Sequence, residues 1–158
     1  MDHNLSQLLQ NLRHEDETVR QHATAQLWRI WFQQKGMWGL EQLQRAQKLI
    51  EQGNMQQAEA LLTDIIEDNP TFAEAINRRA VLYYLLGEYE KSRSDCLQVV
   101  NLNQFHFGAW HGLGLSHAAL GNYQDAIAAF RKALKIQPYA VVNQKLILEC
   151  TMKLPDSR

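Results

Sequence analysis

Trp110-His111-Gly112-Leu113-Gly114-Leu115-Ser116-His117-Ala118-Ala119-Leu120-Gly121-Asn122-Tyr123-Gln124-Asp125-Ala126-Ile127-Ala128-Ala129-Phe130 is the stretch that decides the fold. Trp110, Leu113, Gly114 and His117 recur at spacings of three and four, and Ala126, Phe130, Ala133 and Leu134 do the same after Gly121. Each set falls on one face of a helix. Gly121 stands between them, where a left-handed residue without a Cβ ends one helix and turns the chain back. The same punctuation occurs at Gly53-Asn54-Met55 and Gly87-Glu88-Tyr89, so the three glycines are spaced by 34 residues twice over. Asn54, Glu88 and Asn122 begin the return helices, and the two asparagines are expected to cap them through their side chains. Pro70 and Pro138 sit where the outer units must stop. The period predicts helix–turn–helix units at 39–72, 73–106 and 107–140.

These residues resemble the tetratricopeptide repeat. Its pattern has a large residue and Leu-Gly in the first helix, then Gly, Tyr, Ala, an aromatic, Ala and Pro. The third unit matches with Trp110, Leu113, Gly114, Gly121, Tyr123, Ala126, Phe130, Ala133 and Pro138, and departs at His117, where the pattern has Tyr. The second keeps Ala80, Tyr83, Gly87 and Tyr89 but carries Ser92, Cys96 and Gln104 for Ala, the aromatic and Pro. The first keeps Ala46, Gly53, Ala58 and Pro70, with Gln42 in the Trp place. The stretches Phe72 to Ala75, Asn77 to Ala80 and Gln104 to His111 further resemble small bacterial tetratricopeptide proteins. The fold this implies is an all-α, right-handed solenoid of three repeats.

Ala46, Ala80 and Gly114 share one repeat position and Ala58, Ser92 and Ala126 another, which lets paired helices approach closely. Each unit buries its stripe only against its neighbours, so terminal covers are required. In the N-terminal extension, 1–38, Asp16 opens a helix reaching about Gln34, with Val19, Ala23, Leu27, Ile30 and Trp31 on one face. Leu5 to Arg13 folds back onto it, and Gly36 and Gly39 break the chain before the first repeat. Trp31 and a second tryptophan are expected to cover that repeat. In segment 141–158, Val142, Leu146 and Cys150 recur every four residues beside Ile147 and Leu154, as a capping helix would.

The 158 residues carry a formal net charge of −1, so a nucleic-acid partner gains no counterion-release drive. No apolar run approaches the ~20 residues that span a bilayer. The start, Met1-Asp2-His3-Asn4, has no basic n-region, and two cysteines make neither a disulfide framework nor a metal spacing. A cytoplasmic setting is expected. No carboxylate pair, phosphate loop or nucleophile elbow appears, and His106 and His111 do not share a helical face. The reading is therefore a noncatalytic protein without metal or cofactor. His106 and His111 are expected in surface or capping roles, and Cys96 and Cys150 as small buried hydrophobes.

The resemblance implies a concave groove lined by the first helices of the repeats. Gln47, Asn77, Arg78, Val81, Tyr84, His111 and Leu115 are its candidate contacts for a peptide or helix of a partner protein. The alternative is a groove filled by the chain's own N-terminal segment. The positions with which some relatives grip a terminal carboxylate hold Leu43, Gln47, Arg78, Gly108 and Gly112, and only Arg78 carries a charge. Arg45 and Arg79 stand where the pattern has Leu, so ion pairs with Asp64, Glu67 or Asp95 are expected. Trp28, Trp31 and Trp38 form the candidate interface for self-association. A monomer is expected, with a homodimer through those tryptophans as the second reading.

Overall fold

The computed structural model describes residues 2–155; Met1 and 156–158, the outer ends of the two terminal segments, lie outside the described residues. The described residues form nine α-helices and no strand. Helices α1 (His3–Asn11) and α2 (Glu17–Phe32) make an N-terminal hairpin. Three helix pairs follow: α3 (Gly36–Glu51) with α4 (Met55–Asp68), α5 (Ala73–Leu85) with α6 (Tyr89–Leu102), and α7 (Phe107–Ala119) with α8 (Tyr123–Ile136). Helix α9 (Val141–Met152) stacks on α8. The architecture is the expected all-α solenoid.

Gly53, Gly87 and Gly121 have φ of 80, 77 and 80°, the region a side chain disfavours. After each, the N–H of Asn54, Glu88 or Asn122 donates 2.8 Å back to the carbonyl of Leu49, Tyr83 or His117. That bond satisfies a carbonyl left unpaired at the helix end. The two asparagines do not cap through their side chains as expected. Their backbone N–H closes the preceding helix instead, so the motif needs the glycine and not the amide. By contrast, Asp16 caps α2 as expected, its carboxyl accepting from Thr18 N–H at 2.8 Å.

The core is a chain of local clusters. One joins Leu43, Ala46, Leu62, Phe72, Ile76 and Val99 across the first two pairs, and another joins Ala126, Ile127, Phe130 and Cys150 under α9. Paired positions are matched in size. Gly114 faces Phe130 so closely that a Cβ there would lie 2.4 Å from the ring. The equivalent pairs Ala80 with Cys96 and Ala46 with Leu62 each share a cluster. Cys96 and Cys150 are both buried, as expected.

Three local expectations need correction. Helix α3 begins at Gly36, whose φ of 64° makes the break, and Gly39 is a buried residue of the helix against the Phe72 ring. Val142 points to solvent, and the inward face of α9 is Asn143, Leu146, Ile147 and Cys150. On α2, Ala23, Leu27 and Trp31 are buried while Ile30 is exposed.

The N-terminal hairpin also lies elsewhere than expected. It does not cover the outer face of the first pair. Helix α2 runs along the rim made by the loops that enter each helix pair. Its first half meets the loop before α9, where the Arg20 guanidinium lies 4.0 Å over the Tyr139 ring. Its middle reaches His106 and Phe107, and just beyond its end Gln34 donates 2.9 Å to the Thr71 carbonyl. Leu8, Leu12, Ala23, Leu27, Trp31 and Phe107 form one buried cluster there. Spanning three successive loops, the hairpin braces the solenoid lengthwise.

Candidate functional site

Helices α3, α5 and α7 carry the predicted groove residues. Five of them, Asn77, Val81, Tyr84, His111 and Leu115, line one cleft of about 130 Å³ between α5 and α7, floored by Ala80, Ser92, Cys96, Gly108 and Gly112. Gly112 lets α7 sit close on α6 beneath this space, because a Cβ there would lie 3.2 Å from Cys96 Sγ. Val81 and Leu85 are exposed beside it, and Tyr84 packs edge-on to Tyr89 at 5.2 Å. His111 donates from Nδ1 to Asn143 Oδ1 at 2.7 Å, which ties α7 to α9 and fixes the imidazole at the cleft wall.

Gln47 and Arg78 stand apart from that cleft, bonded to each other at 3.2 Å. Arg78 is further engaged: its Nε lies 3.4 Å from Glu74 and its guanidinium 4.8 Å over the Phe32 ring. Glu74 is fully buried, and its carboxyl also accepts from Asn77 at 3.3 Å and meets His106 Nε2 at 2.9 Å. His106 Nδ1 accepts from Ala109 N–H at 3.0 Å, capping α7, so the ring hydrogen resides on Nε2 and points at Glu74. His106 therefore has the capping role but is wholly buried, not at the surface. Such a buried polar group is tolerable only because every partner is present.

The tryptophans of α2 seal this network. Trp31 stacks on His106 at 4.4 Å between centroids, and Trp28 meets His106 and Phe107 edge-on at 5.2 and 5.4 Å. The Trp28 ring fills the space that a Cβ at Gly108 would occupy, at 2.7 Å. Thus the N-terminal segment covers the groove only at the rim, around Gly108 and Arg78, and leaves the α5–α7 cleft open. Trp31 is buried and Trp28 partly so, and of the three candidate interface tryptophans Trp38 is the most exposed, at 47%. The contact of Gly108 with Trp28 was legible in principle: a glycine on a helix face calls for a large neighbour.

Arg79 is paired as expected, Nε and Nη2 each donating 2.8 Å to the two oxygens of Asp95. The Asp95 hydrogen bond raises the guanidinium pKa against the opposing effect of burial. Arg45 is not: it is exposed and reaches only Gln42, so no buried charge requires a counterion there. Burial pushes the Cys96 thiol up to about 12, helped by Asp95, and raises Cys150 as well, so neither is an activated nucleophile. Sequence reading missed Ser92 and Ser116, whose hydroxyls bond at 3.0 Å in the core while Ser92 also donates 2.8 Å to the Ala80 carbonyl. Among the described residues no three His, Cys, Asp or Glu side chains converge as a metal site.

Stacked helix pairs with a glycine turn at a fixed period and small residues at the crossing define a helical-repeat protein. Tetratricopeptide repeat models match residues 49–113 and 107–140. A TPR repeat-containing protein of Rhizobium etli is 32% identical over 155 residues, which is 98% of this chain and 76% of that protein. The chain belongs to the tetratricopeptide repeat family. Anaphase-promoting complex subunit 3 of Schizosaccharomyces pombe is 29% identical over 94 residues, and there the match spans 60% of this chain and only 14% of the yeast protein. Among solved structures, the first TPR of Spaghetti (RPAP3) bound to the HSP90 peptide SRMEEVD superposes with a TM-score of 0.69 at 21% identity, over 72% of this chain and 90% of that one. MamA gives 0.67 at 21% identity, over 70 and 65%. The family consists of interaction modules that generally catalyse nothing, and on that membership the chain is noncatalytic. No helix of the described residues is long and apolar enough to cross a membrane.

Proposed function

We propose that the chain is an adaptor or assembly factor that holds a peptide or helix of a partner protein in the α5–α7 cleft. The observation that carries this reading is the cleft itself, with apolar Val81 exposed at its mouth and Asn77, Tyr84 and His111 placed to orient a ligand. A few polar groups around apolar footing are what peptide recognition on a preformed surface requires. In this reading residues 39–140 supply the groove, the described part of 1–38 braces it and the described part of 141–158 closes it, and the setting is the bacterial cytoplasm. The RPAP3 neighbour is bound to a peptide ending in Asp. Here the equivalent clamp positions include Gly108, filled by Trp28, and Arg78, already committed to Glu74, so the ligand is not gripped by a terminal carboxylate.

Reversing the charge of Arg78 would set two carboxyl groups together over a buried network and is a poor probe of binding. Val81→Asp, at a residue 47% exposed and outside any buried cluster, alters a solvent-facing group instead. Affinity capture by the full chain from native lysate should yield a discrete partner that this variant loses, with helicity and melting unchanged. Capture of the same partner at equal yield by the variant would refute the cleft as the binding site.

A further inference from the structure

Helix α9 is apolar on both sides. Its inward face packs on α8, yet its solvent face carries Val141, Leu148 and Met152, exposed by 68, 61 and 77%. Large apolar side chains gathered on the solvent face of a helix mark a surface that a partner can cover. Counting by the 34-residue period, α9 is the first helix of a further unit, and Leu148 stands in the place of Ala46, Ala80 and Gly114. Those small residues let a second helix approach closely; at Gly114 even a Cβ would collide with Phe130. Leu148, larger than any of them, disfavours the close approach that α8 makes on α7. A helix at the ordinary spacing of ~8–10 Å, meeting Leu and Met side chains, fits instead.

We propose that this face is a homodimer interface, and that its occupant is α9 of a second copy running antiparallel. The argument is self-complementarity. A two-fold axis passing between Leu146 and Ile147 sets Val141 against the partner's Met152 and brings the two Leu148 side chains within about 4.5 Å along the axis. The same axis sets Lys145 beside the partner's Glu149, twice. Both residues are exposed, and neither is ion-paired among the described residues. The apolar stripe and the flanking charges therefore match under one operation. This surface includes none of the tryptophans of α2 and does not depend on the cleft reading.

Sedimentation equilibrium of the full chain over a concentration series tests the proposal. The wild type should dimerise, and Leu148→Glu should remain a monomer with unchanged circular dichroism. Lys145→Glu and Glu149→Lys should each weaken self-association about tenfold by opposing like charges. Mixed in equal amounts, these two variants should recover the dimer mass, because each then meets its opposite. That recovery separates pairing between chains from pairing within one helix. A wild-type monomer up to about 1 mM, a dimer that survives Leu148→Glu, or a mixture no tighter than its components would overturn it.

Discussion

Replacing Gly114 with Ala adds one methyl group to α7 at the point where α8 comes closest. An ideal Cβ there lies 2.4, 2.6 and 2.7 Å from Cε1, Cδ1 and Cζ of Phe130, a ring with no exposed surface. Neither partner can yield without moving a helix, so the methyl overpacks the site at about 1–3 kcal/mol. Ala is the better helix former by about 1 kcal/mol, which offsets part of that cost. The net expectation is a loss of about 1 kcal/mol, lowering Tm by roughly 2–4 °C for a chain of this size. Phe130→Leu alone should cost about 1–2 kcal/mol through lost burial and a residual cavity. The double variant reproduces the Ala46 and Leu62 pairing of the first unit, where both residues are buried in one cluster. It should fall short of the summed losses by about 1 kcal/mol. Urea unfolding followed by circular dichroism, with equal m-values as the check on cooperativity, measures all three. A Gly114→Ala protein at least as stable as the parent, or strict additivity in the double, would refute the close-approach argument.

Two further outcomes follow from burial. Cys96 is raised from 9.0 and Tyr83 from 10.0, each to about 12, chiefly by desolvation, so between roughly pH 9 and 12 the unfolded chain sheds protons that the folded chain retains. Stability should therefore be complete below pH 9 and fall towards pH 12, and Cys96→Ala should flatten that fall in urea midpoints taken across the range. Trp31, buried against His106, should cost about 3–5 kcal/mol on replacement by Ala, whereas Trp38, 47% exposed, should change stability by no more than about 0.5 kcal/mol. Equal thermal shifts for the two would contradict the lengthwise brace.

The repeats were legible because their signals are local. A residue at φ near 80° every 34 positions, and small residues facing larger ones across a crossing, are demands that one helix pair makes of its own sequence. The α5–α7 cleft inherits its place from that period, which is why Asn77, Val81, Tyr84, His111 and Leu115 come together while Gln47 and Arg78 pair elsewhere. The hairpin obeys a different logic. Its apolar stripe announces that Ala23, Leu27 and Trp31 will be covered, but periodicity within α2 carries no record of what covers them. The choice is made by the surface it meets: Gly108 leaves a gap that Trp28 fills, and Glu74 with His106 leaves a buried polar pair that Trp31 must shield from water. The odd residues where the second unit passes into the third are the missing half of the signal. Gly108 follows Phe107 on a helix that needs no flexibility there, and His106 precedes it with a buried acid 32 residues upstream. Each is poorly suited to an open groove and well suited to a covered one. The place to look for a brace in such a chain is thus the helix start whose residues make sense only beneath another helix.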